Sequence, residues 1–350
     1  MIMHSEKDLI RYVYMIPKAQ IESLSSVLPE RRLTSLDLEK EIVAKSKDIL
    51  FPSGTIERLT GVRERRVAAD DINASDLATE AARKALDASN LNPSDIDCLI
   101  FASASSDIIE PATANIVQEN LKLDCPVFDI KNACNSFVNG IEVAEALVAS
   151  KKYKRVLIAN GEIPSRAIRT SVKCNDQLRR AFAGYTLGDA GAAMILTPSD
   201  GKRGILYSQF RSYGKHWRQS AILGGGTRFP RDPEKNYFEG EAAGLKEIFI
   251  QIGPQQIYET LEKVGWSPED LDKIIVHQVS LKTFDVLVKE TKLPKDKLVI
   301  VLPELGNMIS ASIPVALDWA QQKGEVRAGD KILLLGLAAG VSIGTVALIW

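Results

Sequence analysis

The sequence is poor in the residues on which metal sites and disulfide frameworks depend. Its 350 residues include 4 cysteines and 3 histidines, and the cysteines are scattered with no CxxC pair. This spacing argues against a zinc site and against a disulfide-stabilised secreted domain, and it fits a reducing cytoplasm. The formal net charge of −1 gives no reason to expect binding to nucleic acid or to an anionic membrane.

Long apolar runs are also missing. No stretch approaches the roughly 20 apolar residues of a membrane-spanning helix, and the first residues lack the apolar core of a signal peptide. The rest is an ordinary globular composition, 45% hydrophobic and 25% charged, in a chain long enough for two domains or one large duplicated domain. We therefore expect a cytoplasmic protein without a membrane span.

The chain contains one pattern twice, separated by half its length. In each copy a helix, Asp76 to Ala88 in the first and ending near Val264 in the second, is followed by a proline-containing turn and an apolar strand, Leu99–Phe101 in the first copy and Ile274–Val276 in the second. The matching turn residues, all at an offset of 175, are Pro93 with Pro268, Asp95 with Asp270, and Asp97 with Asp272. These two strands and a further one predicted at Ile332–Leu335 are continuously apolar, which indicates burial on both faces of a sheet. The sequence therefore predicts two similar α/β halves, residues 1–200 and 201–350.

Two irregular stretches interrupt this pattern. Residues 211–240 are rich in glycine, proline and arginine, and we expect a long loop of the kind that shapes ligand sites. Residues 163–180 carry several arginines and a lysine. Both a lid and a linker fit this second stretch.

Cys134 lies where a strand-like run ending at Ile130 gives way to a helical run from Phe137 to Ala149. At a helix N-terminus the unpaired N–H groups and the helix dipole favour the nucleophilic thiolate. The same N–H groups can hold a developing oxyanion. The competing interpretation is a buried, inert cysteine.

The three histidines differ in their surroundings. His4 lies near the N-terminus, His216 lies in the irregular stretch 211–240, and His277 directly follows the apolar strand Ile274–Val276. Ligands of α/β proteins bind at the carboxyl ends of such strands, so His277 is the candidate functional histidine. A buried structural histidine fits the same position.

Asn307 follows Gly306 in a segment of small residues. A Gly-Asn pair fits a turn, and it also permits close approach of the backbone to a ligand. The repeat places Cys134, His277 and the region of Asn307 at related points of the two halves. A pseudo-twofold axis would bring these three residues together.

Several motifs now occur in a recognisable order. They are Asn132-Ala133-Cys134, His277-Gln278-Val279-Ser280, Gly306-Asn307, the segment from Gly336 to Gly344, Leu59 to Arg66, and Thr186 to Ala193. Together they resemble the thiolase-fold condensing enzymes, within them the ketoacyl-acyl-carrier-protein synthase III branch with its Cys-His-Asn triad. The resemblance implies an α/β thiolase fold, in which two similar βαβαβαββ halves form a five-layered αβαβα architecture. It also implies a homodimer.

The resemblance implies roles for individual residues. Cys134 would take an acyl group from a thioester, and His277 and Asn307 would stabilise the enolate oxygen of the second substrate. The backbone N–H groups of Cys134 and Ala339 would form the first oxyanion hole, although the glycines around Ala339 fit simple turns as well. The substrates would be acyl-CoA or acyl carrier protein thioesters in lipid or polyketide biosynthesis, with no metal and no other cofactor.

Glu110 decides between two chemistries. Synthases that initiate fatty acids resemble this segment but carry an apolar residue there, and they make their carbanion by decarboxylating malonyl-acyl carrier protein. A glutamate before Pro111 resembles the olefin-biosynthesis condensing enzyme and the pyrone-forming ketosynthases, where a glutamate of the partner subunit is the base on the α-carbon. We therefore expect a non-decarboxylative Claisen condensation, with decarboxylative synthesis from malonyl-acyl carrier protein as the alternative. A surface glutamate at a helix start also fits Glu110.

One departure from the resemblance concerns the CoA nucleotide. The initiating synthases hold it with a tryptophan and an arginine, and Thr55 and Leu59 stand at those places here. Either the nucleotide is bound differently, or the acyl donor is held by a carrier protein.

Overall fold

The computed structural model of the protein describes residues 16–47 and 49–350, except the side chains of residues 242 and 243. His4 lies outside the described residues. The strands are β1 (Ala19–Val27), β2 (Arg32–Thr34), β3 (Glu64–Arg66), β4 (Cys98–Ala102), β5 (Val127–Ile130), β6 (Val156–Glu162), β7 (Ala190–Pro198), β8 (Gly204–Ser212), β9 (Ser220–Ala221), β10 (Glu239–Gly240), β11 (Lys273–Val276), β12 (Lys331–Ala338) and β13 (Ser342–Ile349).

Helices lie between many of these strands along the chain. They are α1 (Ser35–Lys45), α2 (Thr55–Thr60), α3 (Ala74–Ala88), α4 (Thr113–Leu121), α5 (Ser136–Ala149), α6 (Asn175–Ala181), α7 (Ala242–Val264), α8 (Leu281–Thr291), α9 (Leu302–Leu305) and α10 (Ser312–Gln322). Short 3₁₀ turns include Pro164–Ala167, Gly214–Gln219 and Ile309–Ala311.

Two mixed sheets repeat one topology. The first has the order β1-β7-β6-β4-β5, with β4 parallel to both β5 and β6 and the other pairs antiparallel. The second has the order β8-β13-β12-β11, with β11 parallel to β12 and the other pairs antiparallel. A single parallel bridge from Ile274 to Leu298 stands where β5 stands in the first sheet. The chain crosses between the sheets after β7.

Five layers follow from the helix contacts. Helices α3 and α4 cover the outer face of the first sheet, and α7 and α8 cover the outer face of the second. Helices α5 and α10 contact each other and lie between the sheets. Helix α5 is apolar around most of its surface, as a helix in a middle layer must be. This αβαβα arrangement confirms the predicted thiolase-like architecture.

The repeat at an offset of 175 has a hydrogen-bonding basis. The Asp97 carboxylate accepts from the N–H groups of Lys154 and Arg155, both at 2.8 Å, just before β6. The Asp272 carboxylate accepts from the N–H of Lys331 at 2.8 Å, at the start of β12. Each aspartate therefore ties the start of its own parallel strand to that of the neighbouring strand. A division of the chain near residue 200 into two halves stays our proposal.

Candidate active site

Cys134 lies in a tight turn between β5 and α5. Ala133 has φ +47°, a left-handed conformation that a side chain seldom adopts. The Ser136 hydroxyl stabilises the turn, because it accepts from the Asn132 N–H at 2.8 Å and donates to the Ala133 carbonyl at 2.7 Å. Asn135 caps α5, so the thiol lies at the N-terminus of that helix as the sequence predicted.

The expectation of a thiolate at Cys134 is wrong for the resting enzyme. Burial of the thiol raises its pKa to about 12, and the negative charge of Glu162 adds to the shift. Hydrogen bonds from the N–H groups of Ala339 and Cys134 itself act in the opposite direction but do not offset burial. Cys134 is therefore a neutral thiol at physiological pH.

These N–H groups are held in place by contacts between the two halves. The Asn135 side-chain amide donates to the Ser342 carbonyl at 3.1 Å and to its hydroxyl at 2.9 Å. A Cβ at Gly336 would lie 1.9 Å from the Asn135 Oδ1, so the β12–β13 hairpin can approach this closely only with glycine there. As a result the Ala339 N–H reaches the Cys134 sulfur. Two backbone donors thus point at the sulfur of the candidate nucleophile, beside the position where an oxyanion would develop when a thioester carbonyl is attacked.

His277 follows β11 directly, and its N–H donates to the Leu335 carbonyl of β12 at 2.9 Å. The side chain is 4% exposed, and burial lowers its pKa to about 4, opposed in part by a hydrogen bond with the backbone of Ile309. The Nδ1 atom is buried and has no partner of regular geometry among the described residues. His277 is therefore a neutral imidazole, which suits a hydrogen-bond donor better than a resident cation.

Asn307 lies on a short segment that pairs with the first half. Its N–H donates to the Thr186 carbonyl at 2.7 Å, and its carbonyl accepts from the Gly188 N–H at 3.0 Å. Gly306 has φ +68°, and a Cβ there would lie 2.5 Å from the Thr186 carbonyl oxygen. The glycine of the Gly-Asn pair is thus required by the crossing of the two segments, and Asn307 is 5% exposed.

Ile309 connects the three predicted residues. Its N–H donates to the Asn307 Oδ1 at 3.0 Å, its backbone bonds His277, and its side chain packs in the apolar cluster that includes Cys134. Its φ is +51°, which is rare for a β-branched residue. The structure therefore brings Cys134, His277 and Asn307 to one place. Sequence reasoning missed Ile309, because nothing in its identity signals a left-handed backbone.

Glu162 is the second residue that sequence reasoning missed. It ends β6 and is fully buried, and its carboxylate accepts from the N–H groups of Ala104 at 2.8 Å and Ser105 at 3.1 Å. The hydroxyls of Ser105 and Ser310 donate to it as well. Through Ser310 it fixes the turn that carries Asn307. A charged residue immediately after a buried apolar strand was the available signal.

Glu110 lies apart from the other predicted residues. It is in the exposed loop between β4 and α4, and the two residues before it, Ile108 and Ile109, are 43% and 86% exposed. Phe128 on the edge strand β5 is 36% exposed. Within one subunit Glu110 does not enter the buried site around Cys134.

The two irregular stretches are joined to each other by ion pairs. The buried Arg169 pairs with Glu234 at 2.8 Å, and Arg180 and Arg179 pair with Glu239 and Glu241 at 3.5 and 2.8 Å. The region 211–240 also contains β9, β10 and two 3₁₀ turns, so it is more ordered than the predicted loop. Together these stretches cover the apolar cluster that includes Cys134.

Other kinds of site are not found in the described part of the chain. No group of three or more histidine, cysteine, aspartate or glutamate side chains there could hold a metal ion. None of the helices described is both long enough and apolar enough to cross a membrane. That the reaction needs no cofactor stays a prediction.

Comparisons with solved structures match this geometry. A crystal structure of a single-residue variant of OleA from Xanthomonas campestris superposes with a TM-score of 0.88 at 26% identity, over 96% of this chain and 99% of that one. A variant of the same protein with bound lauric acid and lauroyl-CoA gives a TM-score of 0.87 at 26% identity, over 95% of this chain and 99% of that one. The likeness extends over nearly the whole fold.

Comparisons of sequence agree. The family model for 3-oxoacyl-[acyl-carrier-protein] synthase III matches residues 128–214, and the model for the C-terminal part of that family matches residues 261–350. The β-ketoacyl-[acyl-carrier-protein] synthase III of Caldanaerobacter subterraneus is 33% identical over 95% of this chain and 98% of its own length. The enzyme of that name from Neisseria gonorrhoeae is 30% identical over 94% and 98%. The chain belongs to the 3-oxoacyl-acyl-carrier-protein synthase III family of thiolase-fold condensing enzymes and is an acyltransferase close in structure to OleA.

Proposed function

We propose that the protein joins two acyl chains by a non-decarboxylative Claisen condensation. The Cys134 thiol attacks the carbonyl of the first thioester, a new carbon–sulfur bond forms, and the carrier thiol leaves with the Cys134 proton, relayed by His277. Glu110 then removes a proton from the α-carbon of the second acyl or β-ketoacyl thioester. The resulting enolate, held by His277 and Asn307, attacks the acyl group, and the proton on Glu110 returns to the released Cys134 sulfur.

The observation that carries the acyl-transfer step is the pair of N–H groups, from Cys134 and Ala339, that converge on the Cys134 sulfur. Once the sulfur carries or attacks an acyl group, the same two donors can bond its carbonyl oxygen and stabilise the oxyanion that develops there. The neutral imidazole of His277 and the amide of Asn307 suit the second step, because both donate hydrogen bonds to an enolate without competing as nucleophiles.

The base step requires a second subunit. Glu110 is exposed and follows two exposed isoleucines, and Phe128 is an exposed apolar residue on the open edge strand β5. Exposed apolar residues on an open strand edge favour association with another chain. We propose a homodimer in which the loop of Ile109 and Glu110 enters the site of the partner. Light scattering tests this, since a fully active monomer would refute the arrangement.

The alternative is decarboxylative synthesis from malonyl-acyl carrier protein. Its support is that the curated relatives, at 30–33% identity, are β-ketoacyl-[acyl-carrier-protein] synthases III. The structural neighbours at 26% identity are OleA. The carboxylate at Glu110 favours the first chemistry, because decarboxylation generates the carbanion without a base.

Product analysis separates the two reactions. The enzyme is supplied with an acyl-CoA alone, or with the acyl-CoA and malonyl thioester labelled with ¹³C in the free carboxyl group. Non-decarboxylative condensation gives a β-keto product from the acyl-CoA alone. Release of labelled CO₂ as a strict requirement for product would refute the proposal.

Two variants test the assigned roles. Glu110→Gln is expected to lower condensation by about a hundredfold or more, the usual contribution of a general base, and to leave acylation of Cys134 intact. Glu119→Gln, an exposed glutamate on α4 paired with Lys122, is the matched control. Cys134→Ser is expected to abolish the acyl-thioester adduct seen by intact-protein mass spectrometry. An unchanged adduct on that variant would exclude Cys134 as the nucleophile.

A further inference from the structure

Two buried polar groups at the apolar cluster of Cys134 have no hydrogen-bond partner among the described residues. They are the hydroxyl of Tyr185 and the Nε–H of Arg169, on residues that are 0% and 4% exposed. Most buried polar atoms in proteins are hydrogen-bonded, and one left without a partner costs stability. Both atoms are donors, so both lack an acceptor.

Tyr185 lies among the aromatic rings of the cluster. Its ring centroid is 5.9 Å from that of Phe51 and 5.8 Å from that of Phe182. The side chain of Cys134 packs against the same cluster. Burial raises the pKa of the Tyr185 hydroxyl above the ordinary tyrosine value, so the hydroxyl keeps its proton at physiological pH. The cluster that holds the candidate nucleophile therefore contains a free hydrogen-bond donor.

The guanidinium of Arg169 is fixed by its two terminal nitrogens. Nη1 donates to the Glu234 carboxylate at 2.8 Å, and Nη2 donates to the Glu234 carbonyl at 2.7 Å. A carboxylate oxygen of Glu239 lies 3.9 Å from Nη2, and the guanidinium carbon lies 4.0 Å from the ring centroid of Tyr237. These contacts balance the positive charge and hold the side chain in place, while the Nε–H is left without an acceptor.

The backbone brings the two donors to one side of the cluster. The Phe238 N–H donates to the carbonyl of Ala167, two residues before Arg169, at 2.9 Å. A Cβ at Gly184, the residue before Tyr185, would lie 3.6 Å from the Phe238 carbonyl oxygen. The positive charge of Arg169 acts on the pKa of the Tyr185 hydroxyl, which also shows that the two groups are near each other.

Two donors without an acceptor select an oxygen that can accept hydrogen bonds. A carbonyl or hydroxyl oxygen on an otherwise apolar chain meets this need, and the rest of the chain suits the apolar side chains of the cluster. A carboxylate suits the site less well, because Glu234 and Glu239 already balance the charge of Arg169. A site with such donors discriminates against a ligand that leaves them unpaired.

We propose that Tyr185 and Arg169 bind an oxo or hydroxy oxygen on the acyl chain that is loaded on Cys134. The enzyme then prefers oxygenated acyl chains to unsubstituted ones. The inference rests on the proposed function, because it assigns the substrate class of the acyl-transfer step. Tyr185 and Arg169 determine specificity and take no part in the bond-forming steps.

The rate of acylation of Cys134 measures this preference. Intact-protein mass spectrometry follows acyl transfer from N-acetylcysteamine thioesters, which need neither CoA nor a carrier protein. The acyl groups are octanoyl and its oxo derivatives, with the oxo group at each carbon from the third to the seventh. The preference is the rate for the best oxo derivative divided by the rate for octanoyl. Because the preference is compared between proteins, the intrinsic reactivity of each thioester cancels.

Two variants each remove one donor. Tyr185→Phe keeps the ring and loses the hydroxyl, and Arg169→Lys keeps the positive charge and loses the Nε–H. Each should lower the preference about tenfold, the effect of one hydrogen bond. Tyr258→Phe is the matched control and should leave the preference unchanged, because the Tyr258 hydroxyl donates to the Thr291 carbonyl at 2.6 Å and lies outside the cluster.

Stability distinguishes a substrate contact from a structural hydrogen bond. A hydroxyl without a partner in the free enzyme costs stability, so Tyr185→Phe should raise the midpoint of thermal unfolding by about 2 °C. Tyr258→Phe loses a formed hydrogen bond and should not raise it. A midpoint that stays the same or falls in Tyr185→Phe would mean that the hydroxyl is already bonded in the free enzyme, and would overturn the proposal.

The outcomes also separate this inference from the proposed function. If either donor variant keeps the full preference while Cys134 is still acylated, the oxygen subsite is overturned and the condensation proposal stands. Faster acylation by the suberyl thioester, whose chain ends in a carboxylate, would overturn the assignment of a neutral oxygen. A preference that depends on Tyr185, in an enzyme that condenses only with loss of CO₂, would support the subsite and refute the proposed function.

Discussion

The reactivity of Cys134 gives the sharpest test of the structure. With its pKa raised to about 12, the thiol is ionised to about one part in 10⁴ at pH 8, whereas about one tenth of a thiol of pKa 9 is ionised. The deficit in thiolate is therefore about a thousandfold. A more basic thiolate is also more nucleophilic, and a Brønsted slope of about 0.4–0.5 raises its rate about twentyfold, which offsets part of this deficit. Alkylation of Cys134 at pH 8 should thus be about fiftyfold slower than that of an ordinary exposed thiol.

The assay is the pH dependence of iodoacetamide alkylation, followed by intact-protein mass spectrometry. Cys174 is exposed and would react first, so Cys174→Ser is the background, while Cys98 and Cys125 are buried. The rate at Cys134 should rise about tenfold per pH unit from pH 7 to pH 10, without a plateau. Cys134→Ser in the same background identifies the site, and circular dichroism at each pH confirms that the protein stays folded.

Restricted access does not produce the same result. A thiol that is only hard to reach reacts slowly at every pH, but its profile still levels off at its pKa. A plateau below pH 9 would therefore refute the reasoning. It would mean that the N–H groups of Cys134 and Ala339 and the helix N-terminus outweigh burial and the charge of Glu162.

Three further predictions concern stability. The pKa of His277 is about 4 in the folded protein, against a reference value of 6.5. The neutral imidazole therefore stabilises the fold above pH 6.5, and this contribution is lost as the pH falls toward 4. The free energy of unfolding, measured with urea, should fall by about 2 kcal/mol between pH 7 and pH 5. His277→Gln should lack this loss, and an equal pH dependence of the two proteins would contradict the prediction. Gly306→Ala should lower the free energy of unfolding, measured with urea, by about 2–4 kcal/mol, because the residue has a positive φ and the added Cβ would contact backbone. Gly324→Ala has the same φ of +68° but open space, so it should cost only about 1 kcal/mol; equal costs would exclude the close contact. Ser310→Ala removes a donor to the buried Glu162 carboxylate and should cost about 2 kcal/mol by thermal unfolding, whereas a change below about 0.5 kcal/mol would mean that the bond is not formed.

The fold was predictable because its signals are local. The helix predicted from Asp76 to Ala88 is observed as Ala74–Ala88, with Asn73 and Asp76 forming a capping box. The strand predicted at Ile332–Leu335 is longer, Lys331–Ala338, since it continues as a hairpin into the turn of Ala339. Apolar runs and turn residues specify such elements directly. The apolar pattern therefore underestimated the length of this strand, which Gly336 and Ala338 extend beyond Leu335.

The sequence could single out candidate residues that the fold brings together, but it could not predict their electrostatics. Cys134 and His277 could be selected because each follows a recognisable strand, and Asn307 because the repeat places its segment at a related point of the second half. The protonation state of Cys134 could not be predicted, because it depends mainly on burial of the thiol and also on the charge of Glu162, 28 positions away in sequence and brought near only by the fold. Ile309 was invisible for a similar reason. Its conformation is imposed by contacts with both halves of the chain and not by its own side chain.

The buried negative charge of Glu162 constrains how the proposed reaction must proceed. Together with burial, which is the larger cause, it disfavours a free thiolate at Cys134. Neither has this effect on the neutral acyl-thioester, so acylation removes the group that the site holds least well. In the second half-reaction the sulfur has to leave again. Expelled as a thiolate it would meet the same charge, so it has to be protonated as the carbon–sulfur bond breaks. The proton that Glu110 takes from the second substrate can meet this need, which couples the base to the release of Cys134 as well as to formation of the enolate.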